Sequence, residues 1–275
     1  MKHILVPIDF SEQSKCAAKV AAKIAKKTNS EVFLLHMLDM PQSVVDAMSG
    51  SDNTTPASLL FMKKVHERFD ELKKQDFFKG IKVTESVQFH KTFDGVIEES
   101  KKDNIDLIVM GSSGASGLTG MVVGSNTEKV VRHSEVPVLV VKKGASKMNI
   151  DSVVFASDFG AESKSKFQNV IDFVNIFDAK LHLLYVNTPH KFNSTKIIST
   201  TMTNFIADFE IRDYDTYVYN ETTIEKGILN YSDEVGADLI AINTHGRSGL
   251  SSFFNSSVSQ DLANHALKPI ITFKI

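Results

Sequence analysis

The chain is written twice on one plan, and that constrains its fold more than anything else in it. Near the start, Ile4-Leu5-Val6-Pro7-Ile8-Asp9-Phe10-Ser11-Glu12 is an apolar run ending in Asp-Phe and leading into a helical pattern. Val153-Val154-Phe155-Ala156-Ser157-Asp158-Phe159-Gly160-Ala161 has the same form 149 positions later. The next apolar run, Val32-Phe33-Leu34-Leu35-His36, meets Leu181-His182-Leu183-Leu184-Tyr185 at that displacement. Further along the displacement drops to 132. Gly95 pairs with Gly227, Asp106 with Asp238, Gly114 with Gly246, Gly117 with Gly249, and His133-x3-Pro137 with His265-x3-Pro269. The difference of 17 residues is extra chain in the first half, and residues 40–57, rich in Ser, Asp, Asn, Thr and Pro, are its natural location. With residues 142–148 as a polar linker, the 275 residues divide into expected domains over 1–145 and 149–275.

Within the first half, strands are predicted at 3–8, 31–37, 81–88, 106–110 and 137–142, and helices at 11–28, 58–76, 94–103 and 124–134. Cys16, Val20 and Ile24 lie four apart with Ala17 and Ala21 beside them, and lysines take the other face. Val138-Leu139-Val140-Val141 is continuously apolar, as a strand covered on both faces should be. Strands alternating with helices imply an α/β fold of two tandem five-stranded parallel-sheet sandwiches, Rossmann-like. Their ligand crevice lies at the carboxyl ends of the strands.

Three segments of the first half converge there: Pro7-Ile8-Asp9, His36-Met37-Leu38 and a glycine run. Residues 110–126 read MGSSGASGLTGMVVGSN and hold Gly111, Gly114, Gly117, Gly120 and Gly124, five of the chain's 14 glycines. Side chains are missing where a strand gives way to a helix, the place where backbone N–H groups can close around an anion. No Lys or Arg falls inside the run; Lys129 and Arg132 come later along the helix. Bound phosphates would therefore rely on backbone amides, the Ser125 hydroxyl, the helix N-terminus and a divalent cation. Asp9 is placed to meet that cation, a ribose or a base, while Pro7, Met37 and Met110 offer walls for a flat ring.

Plainer readings stand beside these. The glycine run can be a flexible turn, and Asp9 can be an ordinary turn or capping residue. His36 reads as a satisfied core histidine. His133 and His265 occupy last-turn positions, where imidazole meets helix carbonyls. His245 has no Ser or Asp partner at triad-like spacing, so no catalytic residue is assigned. The chain lacks a G-x4-G-K-[ST] loop, a G-x-G-x-x-G after its first strand, and an H-E-x-x-H zinc motif. Cys16, the single cysteine, excludes an intrachain disulfide and reads as a small core residue. A net charge of -2 argues against a nucleic-acid partner. No apolar run suggests a membrane span and no leader pattern opens the chain, so a cytoplasmic location is expected.

The spacing Gly111-x2-Gly114-x9-Gly124-Ser125 resembles the nucleotide-binding signature of the universal stress protein family. The opening Ile4 to Glu12 run and the ending Val130-Val131-Arg132-His133-Ser134-Glu135-Val136-Pro137-Val138-Leu139-Val140-Val141 extend that resemblance. It covers nearly all of the chain, in two copies. The resemblance implies the adenine nucleotide α-hydrolase-like sandwich and, as ligands, ATP or another adenine nucleotide with Mg2+. Pro7, Ile8, Asp9 and Met37 would surround adenine and ribose. Met110, Gly111 and Gly114 would line the turn, with Gly124, Ser125 and Asn126 at the phosphates. Asn126 departs from the family's usual Val, but its N–H remains.

The second half departs more. Asn243 replaces the first glycine and Ser256 the third, and Ala156 stands where Pro7 does. Asn243 is expected to preserve a left-handed turn, whereas Ser256 adds a side chain at the phosphates. This half is expected to bind nucleotide weakly or not at all, and to pack on the first as in a dimer of single-domain relatives. The functional expectation is an ATP-sensing stress-response regulator with an unidentified protein partner, forming a homodimer. The alternatives are a slow ATP hydrolase, with Asp9 and a metal orienting water, and a dimerising scaffold. In the scaffold, the apolar last strands Pro137 to Val141 and Pro269 to Phe273 would pair edge to edge.

Overall fold

The computed structural model describes residues 1–38, 56–88, 92–112, 124–142, 149–244 and 268–275. In the first half the elements run β1 (His3–Pro7), α1 (Glu12–Thr28), β2 (Glu31–Met37), α2 (Pro56–Lys73), β3 (Val83–Gln88), α3 (Thr92–Lys102), β4 (Leu107–Gly111), α4 (Ser125–His133) and β5 (Val138–Val141). The second half follows with β6 (Ser152–Ala156), α5 (Ala161–Asn175), β7 (Lys180–Asn187), α6 (Thr195–Ile206), β8 (Tyr214–Asn220), α7 (Ile224–Glu234), β9 (Leu239–Thr244) and β10 (Ile270–Lys274). None of the described helices is long and apolar enough to cross a membrane.

Local chemistry accounts for the boundaries. Ser11 caps α1 by accepting the Ser14 N–H, and Glu12 lies in the first turn with Lys26 and Lys27 in the last. The helix stops at Asn29, whose φ of 53° is left-handed, and its buried face carries Cys16, Ala17, Val20, Ala21 and Ile24. Helix α2 starts at Pro56, two residues earlier than its apolar pattern suggests, because proline suits the first helical position.

The strands form one sheet in the order β3-β2-β1-β4-β5-β10-β9-β6-β7-β8. Read outward from the centre, each half contributes the same series. The ladders within each half are parallel, as expected. The central one is antiparallel, with Ile270 opposite Val140, Ile271 opposite Leu139 and Thr272 opposite Val138. The two apolar last strands do pair edge to edge, and they do so within one chain. Around this seam Lys23 Nζ donates to Asn149 Oδ1 at 2.8 Å, and Lys27 lies over the Phe177 ring at 5.3 Å. Lys274 pairs with Glu135 at 2.5 Å. A single apolar cluster runs beneath α1, α2, α5 and α6 from Ile4 and Val20 to Phe173, Ile271 and Phe273. The opposite face holds separate clusters under α3 and α4 and under α7.

The repeat extends to individual hydrogen bonds. Asp9 Oδ1 accepts from Ser11 N at 3.0 Å, and Asp158 Oδ1 from Gly160 N at 2.9 Å. The next residues, Phe10 and Phe159, both take left-handed backbone, with φ of 62° and 56°. Asp106 Oδ2 accepts from Lys2 N and His3 N, and Asp238 Oδ2 from Asp151 N and Ser152 N.

Gly95 and Gly227, paired by the repeat, sit where a helix crowds the second strand of its half. A Cβ on Gly227 would stand 2.4 Å from Val186 Cγ1 and 3.0 Å from its Cγ2. On Gly95 it would stand 2.0 Å from Met37 Cε. Val186 is β-branched and stiff, whereas Met37 meets the helix with the end of a flexible chain. Gly227→Ala is therefore expected to destabilise the protein by about 2 kcal/mol despite alanine's better helix propensity. A urea titration checks this, and a midpoint at or above that of wild type would show that β7 yields.

Candidate functional site

The carboxyl ends of β1, β2 and β4 lie side by side on the first half's sheet. Pro7 pairs with Leu35 of β2, and Leu5 with Ile108 of β4; continued, that register sets Pro7 beside Met110. Ile8 N donates to Leu35 O at 2.7 Å, drawing the chain after β1 across the end of β2. His36 secures the same junction, because its Nδ1–H donates to Ile8 O at 2.6 Å. Pro7, Asp9 and Met37 are half-buried at this edge, while Ile8 and Met110 are buried.

The second part of the site is the start of α4. Gly111 ends β4, Ser112 N donates to Val141 O at 2.9 Å, and Gly124 N returns to Ser112 O at 2.7 Å. The chain leaving the strand and the chain entering the helix are thereby tied together. Gly124, the N-cap, contributes no side-chain hydrogen bond, and Ser125 and Asn126 are exposed. The N–H groups of the first helical turn have no acceptor within the helix, so they point outward with the positive end of its dipole. Thr127, buried one residue further on, donates its hydroxyl to Gly111 O at 3.0 Å and anchors the helix start to the strand end.

Nine of the ten residues named from sequence are thus described, and they fall into two adjoining groups. Pro7, Ile8, Asp9, Met37 and Met110 gather at the strand ends. Gly111, Gly124, Ser125 and Asn126 lie along the turn into α4. Gly114 lies outside the described residues, as do Gly117, Gly120, His245, Ser256 and His265 and most of 40–57 and 142–148. Asp9 has the turn role considered above. Cys16 is a buried core residue, and His133 donates to Lys129 O at 2.9 Å in the last turn of α4.

One expectation is overturned. Gly111 and Asn243 both lie in strands and neither has a positive φ. A left-handed turn is not what glycine supplies there. A Cβ on Gly111 would stand 3.2 Å from the Gln13 backbone at the start of α1, so a side chain there would need the strand end and helix to give by a few tenths of an ångström. In the second half Asn243 directs its amide at Ser163 O of α5, 3.5 Å away. The site surrounds were also missed from sequence. His36 packs against Phe10 at 4.9 Å, and Arg68 covers the Phe10 ring at 4.8 Å. Phe10 is the strained left-handed residue beside Asp9, and only tertiary packing reveals why it is tolerated.

Burial lowers the pKa of His36 below its usual 6.5, opposed by the Ile8 carbonyl and the Asp9 charge. Burial, aided by Lys180, lowers that of His182, whose Nδ1 meets the Tyr231 hydroxyl at 3.3 Å. Both histidines are neutral in the fold and take up protons more readily once unfolded. Their contribution is present above about pH 6.5 and is lost as pH falls through the lower folded values. Between about pH 7 and about pH 5, urea midpoints should therefore drop. The drop should be shallower when each histidine is exchanged for its counterpart from the other half, His36→Tyr with His182→Phe. An unchanged slope would assign the acid sensitivity to other groups.

The universal stress protein family model matches residues 1–142 and 216–274. The chain belongs to the universal stress protein family. The universal stress protein MJ0531 of Methanocaldococcus jannaschii is 34% identical over 142 residues, spanning 52% of this chain and 82% of that protein. The universal stress protein Slr1230 of Synechocystis sp. is 23% identical over 293 residues and matches over 100% of both chains. Among solved structures, a universal stress protein from Archaeoglobus fulgidus superposes with a TM-score of 0.75 at 22% identity, covering 99% of this chain and 96% of that one. That likeness supports the fold, end to end, of this stress-response family member.

Proposed function

We propose that this chain is a cytoplasmic stress-response regulator that senses ATP, bound with Mg2+ in the crevice of its first half. The observation that carries the reading is the start of α4. There a side-chain-free cap at Gly124 and exposed residues Ser125 and Asn126 leave the first-turn amides facing outward, beside the strand ends that hold Asp9 and Met37. Backbone amides and a helix dipole suit phosphate oxygens, and an apolar wall beside a carboxylate suits a base and ribose.

The donor set also bears on the metal. Among the described residues no cluster of three or more His, Cys, Asp or Glu could hold a metal ion. A hard divalent cation held chiefly by phosphate oxygens and water, with one protein carboxylate, fits that arrangement, and Asp9 is the carboxylate at this edge. In this reading residues 1–145 form the sensing domain and residues 149–275 a domain with a degenerate site. Asn243 then places a side chain where Gly111 has none. Because β5 and β10 satisfy one another, a homodimer of this chain would have to be built on a different surface.

The test is calorimetry of the purified protein with MgATP, together with mass spectrometry of small molecules released on denaturation. One adenine nucleotide per chain is expected. Absence of both binding and co-purified nucleotide would remove the proposal.

A further inference from the structure

Met37 and Gly95 are locked together at the edge of the base-binding end. Gly95 is buried in the first turn of α3, and the space that its Cβ would take belongs to Met37, with Cε 2.0 Å and Sδ 2.8 Å away. The Met37 side chain is therefore drawn back against the helix. Beneath it lies the packed cluster of Leu35, Val96, Ile108 and Met110, so the sheet side is closed. Gln88 closes a further side: its Oε1 would stand 3.3 Å from the same Cβ, and its Nε2 is held by the Glu99 carboxylate. Among the described residues, the direction left to a displaced Met37 is outward, past the carboxyl end of β2. Met37 is itself half-buried there.

We infer that Gly95 is a specificity-determining residue of the first-half site, setting the depth of the nucleobase pocket by letting Met37 withdraw into helix α3. The inference rests on the nucleotide reading above and deepens it, since it concerns the base and not the phosphates. Gly227 has no such freedom. It faces Val186, which has no long arm to swing, so the second half cannot trade pocket depth in this way. The difference between the halves lies in the strand residue and not in the glycine.

Alanine at 95 improves helix propensity and displaces only the end of an unbranched side chain, so the helix should stay and Met37 should move. MgATP affinity is then expected to fall about tenfold in Gly95→Ala, the size of effect that overfilling a packed site produces. Magnesium tripolyphosphate, which has no base, should bind Gly95→Ala and wild type alike. Trimming the arm should cancel the effect: Gly95→Ala introduced into Met37→Ala should leave MgATP affinity where Met37→Ala alone puts it.

Calorimetry on these four full-length proteins, with urea midpoints confirming that each is folded, supplies the test. An unchanged MgATP affinity in Gly95→Ala, where wild type binds, overturns the inference and leaves the nucleotide reading standing. An equal loss with Met37 already trimmed, or an equal loss for tripolyphosphate, also overturns it. A wild type that binds no MgATP overturns both.

Discussion

Ile271→Asp is expected to lower the unfolding free energy by about 4 kcal/mol or more, a large share of the roughly 5–15 kcal/mol that stabilises an ordinary domain. Ile271 is fully buried and lies in the middle strand of the seam, with Ala241 of β9 on one side and Leu139 of β5 on the other. A carboxylate there must be dehydrated without a partner, and it enters an apolar cluster that both halves share. Truncation to alanine, which opens a cavity without adding charge, should cost about 3 kcal/mol. The pair separates burial of charge from loss of packing. Urea unfolding followed by circular dichroism reads the loss, and size-exclusion chromatography reads whether the freed edges of β5 and β10 recruit other chains. A charged variant with the wild-type midpoint would mean that the central ladder is dispensable.

The second large effect concerns binding and runs opposite to stability. Ser125→Glu puts a carboxylate at the exposed first position of α4, where negative charge favours a helix by about 0.5 kcal/mol. If phosphate binds at this turn as proposed, the same charge repels it, and two like charges about 4 Å apart near a surface cost about 4 kcal/mol. The variant should melt at or slightly above the wild-type temperature, yet bind MgATP about a hundredfold more weakly or worse. Calorimetry beside a thermal melt checks both halves of the expectation. Unchanged MgATP affinity would place the phosphates away from α4.

The sequence makes legible whatever depends on neighbours along the chain. The 3.6-residue spacing of Cys16, Val20 and Ile24 and the polar signals around them locate α1 to within a residue. The unbroken apolar run of β5 foretells a strand covered on both faces. The repeat aligns Asp9 with Asp158 before showing that they make the same turn. Distant contacts were not legible. Gly111 looks like a turn residue until Gln13 of a different element is found 3.2 Å from its missing Cβ. Phe10 looks like an unremarkable core aromatic, yet its backbone is left-handed and its ring meets both His36 and Arg68, 26 and 58 residues further along. A pattern of residue types cannot report a contact whose two sides are written so far apart.

The antiparallel junction of β5 and β10 also changes what substitution is allowed to do. When two identical chains meet across such a ladder, every mutation arrives on both sides at once, and a change harmful to one pocket is harmful to both. Here the two sides are encoded separately. A new residue at Asn243 leaves Gly111 untouched, and Val186 can differ from Met37 while their glycine partners stay the same. One half is free to vary while its neighbour continues to hold the sheet and the crevice.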